Sequence, residues 1–456
     1  MPDSSIPGGP ARVAGGPRRR RSATSARRSR SRPARAAAAI LAGGLLLSAC
    51  GDGDATPVLT WYINPDDGGQ QVIAERCTDQ SDGAYRIQTS LLPNDAPSQR
   101  EQLARRLAAG DTSLDIMSLD PPFIPELAEP GFLAPVPEDV AERTTADTLD
   151  GALAGAMWGD ELVTIPFWAN TQLLWYRESV VEEAGLDMDE PVTWEQIMDV
   201  AEEQDKHLAV QGIRAESMTV WLNALIESQG ESIITDPTAP ADELETALDS
   251  DAGRAAAEVL HRIGAEGLGG PGIASMDEGQ SMLLFQRDAG SFMVNWPFVW
   301  AATNAAAEDG TVDAELPDDI GWAQYPRMDA DTPSAPPLGG INLGVGSQSE
   351  HPELAYEAIE CIVAPENQTE YFVTNGNPPS SEAAFDDPQV EEDFPMADDI
   401  REALDNAAPR PQTPYYNEIS TTIQLNYTPL SGVDPERTPA EADTTVGEVL
   451  RGERLL

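Results

Sequence analysis

The sequence predicts an α/β protein with two domains. After residue 57, short apolar runs rich in β-branched residues alternate with helical patterns, as is typical of a parallel sheet covered by helices. The hydrophobic fraction of 41% is enough for a packed core. The chain has 456 residues, and a single core rarely serves so many, so we expect two domains.

The first domain begins with three predicted strands, at 58–63, 85–92 and 114–119, separated by helical patterns that end near Cys77 and Ala109. Polar residues follow each strand. Because binding loops in parallel sheets lie at the carboxyl ends of the strands, these residues could converge on one edge and bind a ligand. They are Asn64, Asp66, Asn94, Asp95 and Asp120.

The rest of the chain begins with a crossover at 161–167 and continues as a region rich in helices. Helical patterns are predicted at 194–203, 218–228, 239–248, 252–264 and 353–363. Strand patterns lie within 288–300, at 322–326 and at 341–345.

The N-terminus is typical of an export signal. Residues 1–49 contain ten arginines and an apolar stretch, 36–47, that is too short to span a bilayer stably. The stretch ends in Leu47-Ser48-Ala49-Cys50, which resembles a bacterial lipobox. We therefore predict a signal peptide at 1–49, lipid on Cys50 and a tether at 50–57. A plain cleaved signal is the alternative, and the sequence leaves the choice between the Sec and twin-arginine routes open.

Charge restricts the classes of ligand. The formal charge is −50. The first 49 residues carry +9, which leaves −59 on the other 407. Such a surface repels phosphate backbones, so we expect no nucleic-acid partner. It also disfavours anionic ligands, which are usually captured by clustered arginine, lysine or helix N-termini.

Two cysteines remain besides Cys50, and in an exported chain an even remainder suggests a Cys77–Cys361 disulfide. Two separately buried thiols are the alternative. The three histidines are far apart and no C-x-x-C or H-E-x-x-H pattern occurs, so neither a zinc site nor another cofactor is expected.

No nucleophile elbow, P-loop or dinucleotide-binding motif is present. The nine tryptophans are more informative, because several stand beside Asn or Pro rather than in apolar runs. Examples are Trp168-Ala169-Asn170 and Asn295-Trp296-Pro297. An indole can cover the C–H face of a pyranose while polar side chains bind its hydroxyls. We expect most of the nine to pack in the core instead.

Seven segments in order carry a specific resemblance: 115–120, 127–133, 165–177, 191–195, 292–300, 339–345 and 410–416. Together they are similar to family 1 extracellular solute-binding proteins, the maltose- and trehalose-binding lipoprotein group of ABC importers. Trp61-Tyr62-Ile63-Asn64-Pro65-Asp66 and Leu91-Leu92-Pro93-Asn94-Asp95 further resemble the trehalose-binding lipoproteins of the LpqY type.

The resemblance implies a clamshell, the two-lobed periplasmic-binding-protein-like α/β fold with a cleft between the lobes. Lobe 1 would comprise 58–165 plus 339–364, and lobe 2 would comprise 166–337 plus 365–456. Six positions match ligand contacts of trehalose- and maltose-binding relatives: Asp120, Asn170, Trp296, Phe298, Gly340 and Arg410. Asn170 departs from relatives that have Asp, and Phe298 lacks the hydroxyl that a Tyr would offer.

The resemblance further implies a non-enzymatic, lipid-anchored receptor on the outer face of the membrane. It would act as a monomer and deliver a disaccharide, trehalose above others, to an ABC permease. Asp120 and Arg410 would hold ligand hydroxyls from opposite lobes, so their replacement should weaken binding with little loss of stability. The alternatives are a binding protein for another oligosaccharide or a polyol phosphate, a secreted glycoside hydrolase, and a structural envelope lipoprotein.

Overall fold

The computed structural model describes residues 56–66 and 68–456. The predicted signal peptide, the lipid site at Cys50 and most of the tether lie outside the described residues. Among the residues that are described, no helix is both long and apolar enough to cross a membrane.

The described residues form strands and helices in alternation at first and mostly helices later. The strands are β1 Val58–Ile63, β2 Arg86–Leu91, β3 Ile116–Leu119, β4 Met157–Trp158, β5 Glu161–Leu162, β6 Ile165–Asn170, β7 Leu173–Arg177, β8 His207–Ala209, β9 Gly290–Asn295, β10 Ile320–Ala323 and β11 Gly339–Val345. The helices are α1 Gly69–Gln80, α2 Ala96–Ala108, α3 Ile124–Ala128, α4 Glu138–Thr145, α5 Asp150–Ala154, α6 Glu178–Ala184, α7 Trp194–Glu203, α8 Glu216–Glu227, α9 Asp251–Ala265, α10 Glu278–Phe285, α11 Phe298–Glu308, α12 Pro352–Ile362, α13 Pro365–Asn375, α14 Glu382–Phe385, α15 Pro388–Asp393, α16 Ala397–Asp405, α17 Tyr416–Tyr427 and α18 Thr438–Leu450.

A five-stranded sheet, the first sheet, has the order β2-β1-β3-β11-β6. β1 pairs in parallel with both β2 and β3, as the alternation of strands and helices predicts. β11 then joins antiparallel to β3 and to β6. The carboxyl ends of β1, β2 and β3 therefore lie at one edge of this sheet, where the polar residues predicted from the sequence begin.

A four-stranded sheet, the second sheet, has the order β10-β7-β9-β8. β7 pairs antiparallel with β9 and β10, and β8 pairs in parallel with β9. Its large core contains Trp194 and Trp221, whose ring centroids are 5.8 Å apart, together with Tyr325. The amphipathic helix α7 begins with a capping box in which the Thr193 hydroxyl accepts from the Gln196 amide.

The core behind the first sheet contains Trp61, Phe167 and Tyr371. A disulfide joins Cys77 on α1 to Cys361 on α12, with the two Cα atoms 5.8 Å apart. The bridge therefore fastens one of the first sheet's covering helices to a segment that returns 284 residues later.

One predicted helix is wrong. Residues 239–248 form turns, and Ile234 and Thr246 form a β-bridge instead. The Ala247 amide donates to the Ile233 carbonyl at 2.8 Å, and the Asp236 carboxylate accepts from the Thr238 amide at 3.0 Å. Leu248, one of the apolar residues whose spacing indicated a helix, is buried, but it is buried from an irregular segment.

The predicted lobe boundaries remain a prediction. β6, Ile165–Asn170, lies in the first sheet beside β11. α13 contacts α1, and Arg76 of α1 pairs with Glu370 of α13.

Candidate functional site

A cleft of about 430 Å³ lies where the edge of the first sheet meets the helix N-termini of the other half of the molecule. Its first wall comes from β6, β11 and the ends of β1, β2 and β3, and its second from the first residues of α8, α10 and α11. Parallel strands end at a common edge and helix N-termini present free N–H groups, so both walls are places where polar ligands bind.

Eight of the ten ligand-binding candidates predicted from the sequence line this cleft. They are Asn64, Asn94, Asp120, Asn170, Trp296, Phe298, Gly340 and Arg410. Asp66 and Asp95 do not. The Asp66 carboxylate accepts from the amides of Gly68 and Gln70, at 3.1 and 2.8 Å, and the Asp95 carboxylate accepts from the Ser98 amide at 2.9 Å. Both carboxylates therefore hold the start of a helix.

Three charged side chains meet at one end of the cleft, which we call the charged end: Asp120, Glu216 and Arg410. Arg410 is 5% exposed and donates to Asp120 at 2.6 Å and to Glu216 at 2.9 Å. Glu216 also accepts from the hydroxyls of Tyr416 and Ser420, the latter at 2.8 Å. These groups come from the loop after β3, the start of α8, the loop before α17 and α17 itself.

Burial governs the protonation of the charged end. Burial raises the pKa of Asp120, the Arg410 guanidinium opposes this rise, and Glu216 adds to it. Burial alone would lower the pKa of Arg410, but Asp120, Tyr416 and Glu216 together raise it. Burial, followed by Glu216, raises the pKa of Tyr416 well above its ordinary value. Arg410 therefore stays charged and Tyr416 stays neutral, a hydroxyl that can donate.

This arrangement corrects one expectation. Asp120 and Arg410 pair with each other, so each charge stabilises the other in the absence of any ligand. The physical reason is desolvation, because a buried guanidinium and a buried carboxylate each cost several kcal/mol unless a partner of opposite charge offsets the loss. Their replacement is therefore expected to lower stability, contrary to the sequence-based expectation.

Three aromatic side chains and a carboxylate form the other end, which we call the aromatic end: Trp168, Trp296, Phe298 and Glu278. The Trp296 amide donates to Asn295 Oδ1 at 2.9 Å, and Asn295 Nδ2 donates to the Glu278 carbonyl at 2.9 Å. Asn295 is fully buried. The start of α10 is thereby tied to the end of β9, and Glu278 and Trp296 both line the cleft.

Two glycines of β11 lie where any side chain would collide with neighbouring atoms of the cleft wall. A Cβ on Gly339 would come within 3.0 Å of the Trp296 ring. Gly340 has φ +119° and a Cβ there would lie 2.3 Å from the Trp168 carbonyl oxygen. Only glycine tolerates both that backbone conformation and that approach.

Several polar atoms of the residues that line the cleft lack a hydrogen-bond partner. Asn170 Oδ1 accepts from the Thr171 amide at 3.0 Å, which leaves the side-chain NH₂ as a donor. Within the described residues, Asn64 Oδ1, Trp168 Nε1 and Arg410 Nε have no hydrogen-bond partner. Buried polar atoms are usually paired, so these three are candidates for a ligand or water.

Sequence reasoning missed Glu216 and Glu278 as site residues. Each is the first residue of a helix. Acidic residues are common in that position because they favour the helix dipole, so no signal in the sequence separated these two from the others. Among the described residues, no group of three or more His, Cys, Asp or Glu side chains could hold a metal ion.

Comparison with known proteins places this geometry in context. The profile of the family described as bacterial extracellular solute-binding protein matches residues 85–369. A Deinococcus radiodurans protein described as a probable ABC transporter-binding protein is 24% identical over 275 residues, which are 58% of this chain and 62% of that protein. The match thus spans less than two thirds of that relative's length.

Solved structures share the fold. Maltose-bound T. maritima MalE3 superposes with a TM-score of 0.72 at 22% identity, covering 87% of this chain and 100% of that one. The sugar-binding protein MalE of Xanthomonas citri has a TM-score of 0.72 at 18% identity, with 87% and 98% covered. A solute-binding protein of Agrobacterium radiobacter K84 in complex with ribitol has 0.70 at 17%, with 86% and 98% covered. These matches confirm the predicted two-lobed α/β fold.

Proposed function

The chain belongs to the family of bacterial extracellular solute-binding proteins, and we propose that it captures a disaccharide, trehalose being the first candidate, for an ABC importer. The observation that carries this proposal is the make-up of the cleft. Aromatic faces at one end and convergent carboxylate, amide and guanidinium groups elsewhere are the combination that binds the apolar face and the hydroxyls of a sugar. A volume of about 430 Å³ suits a ligand of disaccharide size.

Individual residues take distinct roles in this proposal. Trp296 covers one pyranose face, Asn170 donates to a hydroxyl, and Asp120 accepts from a hydroxyl with the lone pairs that Arg410 leaves free. The cleft closes on the sugar because ligand binds the closed arrangement better than an open one. Gly340 keeps the backbone of β11 close to Trp168.

The descriptions of the structural neighbours support a sugar or polyol as the ligand class. Those proteins are described with bound maltose, α-D-tagatose, ribitol and D-mannitol. None of these four ligands carries a phosphate. The protein would act without catalysis, as a receptor for a membrane permease.

We also propose that the mature chain is exported and held at the membrane by lipid on Cys50. The lipobox-like sequence before Cys50 supports this assignment. Two acyl chains are needed for stable anchoring, because each buried CH₂ contributes about 0.8 kcal/mol. Mature protein should partition into the detergent phase of a phase-separation assay, and Cys50→Ala should accumulate uncleaved or be shed. Wild-type protein found only in the aqueous phase contradicts the anchor.

Titration calorimetry of residues 56–456 with trehalose, maltose, ribitol and mannitol tests the ligand class. We expect a disaccharide to bind and to raise the melting temperature, because a ligand of the native state alone stabilises it. Release of reducing sugar from trehalose would instead indicate a glycoside hydrolase. If no sugar or polyol in the set binds the folded protein, the proposal is wrong.

A further inference from the structure

The ionisable groups that line the cleft are unequal in sign. Asp120, Glu216 and Glu278 are carboxyl groups, and Arg410 is the one cation of the lining. Arg410 uses both terminal nitrogens on Asp120 and Glu216. The cleft therefore has an excess of negative charge, and its single guanidinium is already engaged.

Glu278 is the carboxylate that this pairing leaves out. Within the described part of the chain, it forms no ion pair, and the charged group that most affects it is another acid, Asp277. Burial raises the pKa of Glu278, a hydrogen bond from its own backbone amide opposes the rise, and Asp277 adds to it. A carboxylate that is partly removed from water without a cationic partner costs free energy, which a cation in the cleft would offset.

The surroundings of Glu278 also favour a cation. Asn295 donates to the Glu278 backbone carbonyl and accepts from the Trp296 backbone amide, so the start of α10 is tied to the end of β9. Glu278 and Trp296 both line the cleft there. Indole faces attract ammonium groups through the negative face of the ring. A carboxylate forms charge-assisted hydrogen bonds with hydroxyl and ammonium donors alike, and an ammonium adds the attraction of an opposite charge.

We propose that the cleft is selective for a disaccharide that carries a protonated amine, an amino sugar, with the ammonium group held by Glu278 beside Trp296. This inference rests on the proposed function and narrows it to one ligand class. The same charge balance disfavours phosphorylated sugars, because no free guanidinium or ammonium in the cleft is left to pair with a phosphate. The −59 charge of the chain after residue 49 would also draw cationic ligands towards the protein.

Calorimetric titration with a matched set of probes tests the selectivity. The probes are trehalose, 2-amino-2-deoxytrehalose, 6-amino-6-deoxytrehalose and trehalose 6-phosphate, at about pH 6.5 and low salt. We expect at least one amino derivative to bind about tenfold tighter than trehalose, and the phosphate at least about tenfold weaker. The preference for the amine should shrink as salt is added.

Three variants test whether Glu278 causes the preference for the amine. Glu278→Gln keeps the shape and removes the charge, so the amino derivative and trehalose should bind it within about threefold of each other. Glu195→Gln, an exposed site on α7, should leave the preference unchanged. Glu278→Asp keeps the charge and should retain part of the preference even if Glu278→Gln folds poorly.

The outcomes separate the two proposals. If trehalose binds wild-type protein and neither amino derivative binds more tightly, the amine selectivity is overturned while the sugar receptor stands. A preference that survives unchanged in folded Glu278→Gln overturns the role of Glu278. If no disaccharide binds, charged or neutral, the proposed function itself falls.

Discussion

The two ends of the cleft differ in how their polar groups are satisfied. At the charged end, Arg410 is matched by Asp120 and Glu216, and Glu216 is matched further by Tyr416 and Ser420. At the aromatic end, Glu278 has no cationic partner among the described residues, and the half-buried Trp296 lines the cavity. The difference teaches that charged residues of one cleft can differ in role, because the carboxylates of one end are paired within the protein and the carboxylate of the other end is not.

The largest effect on stability is expected when Arg410 is replaced. Arg410→Met leaves Asp120 and Glu216 buried without a counter-charge, so the free energy of unfolding should fall by about 3–5 kcal/mol in urea titrations. Arg143 is the control. It pairs with Asp139 and Glu360 at the surface and its side chain is 52% exposed. Arg143→Met should therefore cost less than about 1 kcal/mol. Equal losses in the two variants would show that burial does not distinguish the charged end.

Replacing Trp296 tests the other end. Trp296→Ala should weaken disaccharide binding by about 1–3 kcal/mol, roughly 5- to 150-fold, because it removes the aromatic face. Its unfolding free energy should fall less than that of Arg410→Met. Trp300, whose indole donates to the Asp393 carbonyl at 3.1 Å away from the cleft lining, provides the control. If Trp300→Ala loses as much affinity, Trp296 is not the residue that covers the face of the sugar.

A smaller effect on stability is expected at Gly340, which lies against the backbone of Trp168 at the aromatic end. Gly340→Ala would force a strained φ and a contact with the Trp168 carbonyl, at a cost of about 1–3 kcal/mol of stability. Gly432→Ala meets open space at an ordinary φ, so its unfolding free energy should change by about 0.5 kcal/mol or less. Thermal unfolding of both variants measures the contrast, and a neutral Gly340→Ala would contradict it.

The smallest effect is a dependence on pH at Glu278. Burial raises its pKa in the folded protein above the ordinary value of 4.5, because the opposing hydrogen bond from its backbone amide is outweighed and Asp277 adds to the rise. Below that value the carboxyl is neutral in both states. As pH rises, the unfolded chain loses the proton first, so the wild type loses stability until the raised pKa is passed. Glu278→Gln lacks this loss and should gain stability relative to wild type across that window, measured by urea unfolding between about pH 4 and 8. A constant difference would contradict the assignment.

The sequence predicted much of the fold for a clear reason. Helix α7 was predicted at its observed bounds, since a capping box and an apolar face are local signals. The helix predicted at 239–248 failed because its apolar spacing is used by a distant pairing with Ile233 and Ile234. A local sequence pattern predicts structure well where the backbone hydrogen bonds form within the segment. It predicts structure poorly where those bonds form with another part of the chain.

The site was predictable in membership and less so in its internal contacts. Asp120 could be placed at the sheet edge because it follows a strand. Its ion pair with Arg410 joins residues 290 positions apart, which no local pattern reports. Asp66 and Asp95 follow strands equally, but each carboxylate accepts from amides at the start of the next helix. Asp120 also precedes a helical turn, but that turn begins with two prolines, and the Asp120 side chain forms no such bond.

The strand order of the first sheet sets the sequence of events during synthesis. β3 and β11 are neighbours in that sheet, but residues 120–338 separate them in the chain. As the polypeptide emerges from its N-terminus, β3 presents an unpaired edge until residue 345 has followed. Such an edge invites pairing with other chains. A nascent or truncated chain that stops before β11 should therefore need chaperone protection, and the finished protein should not.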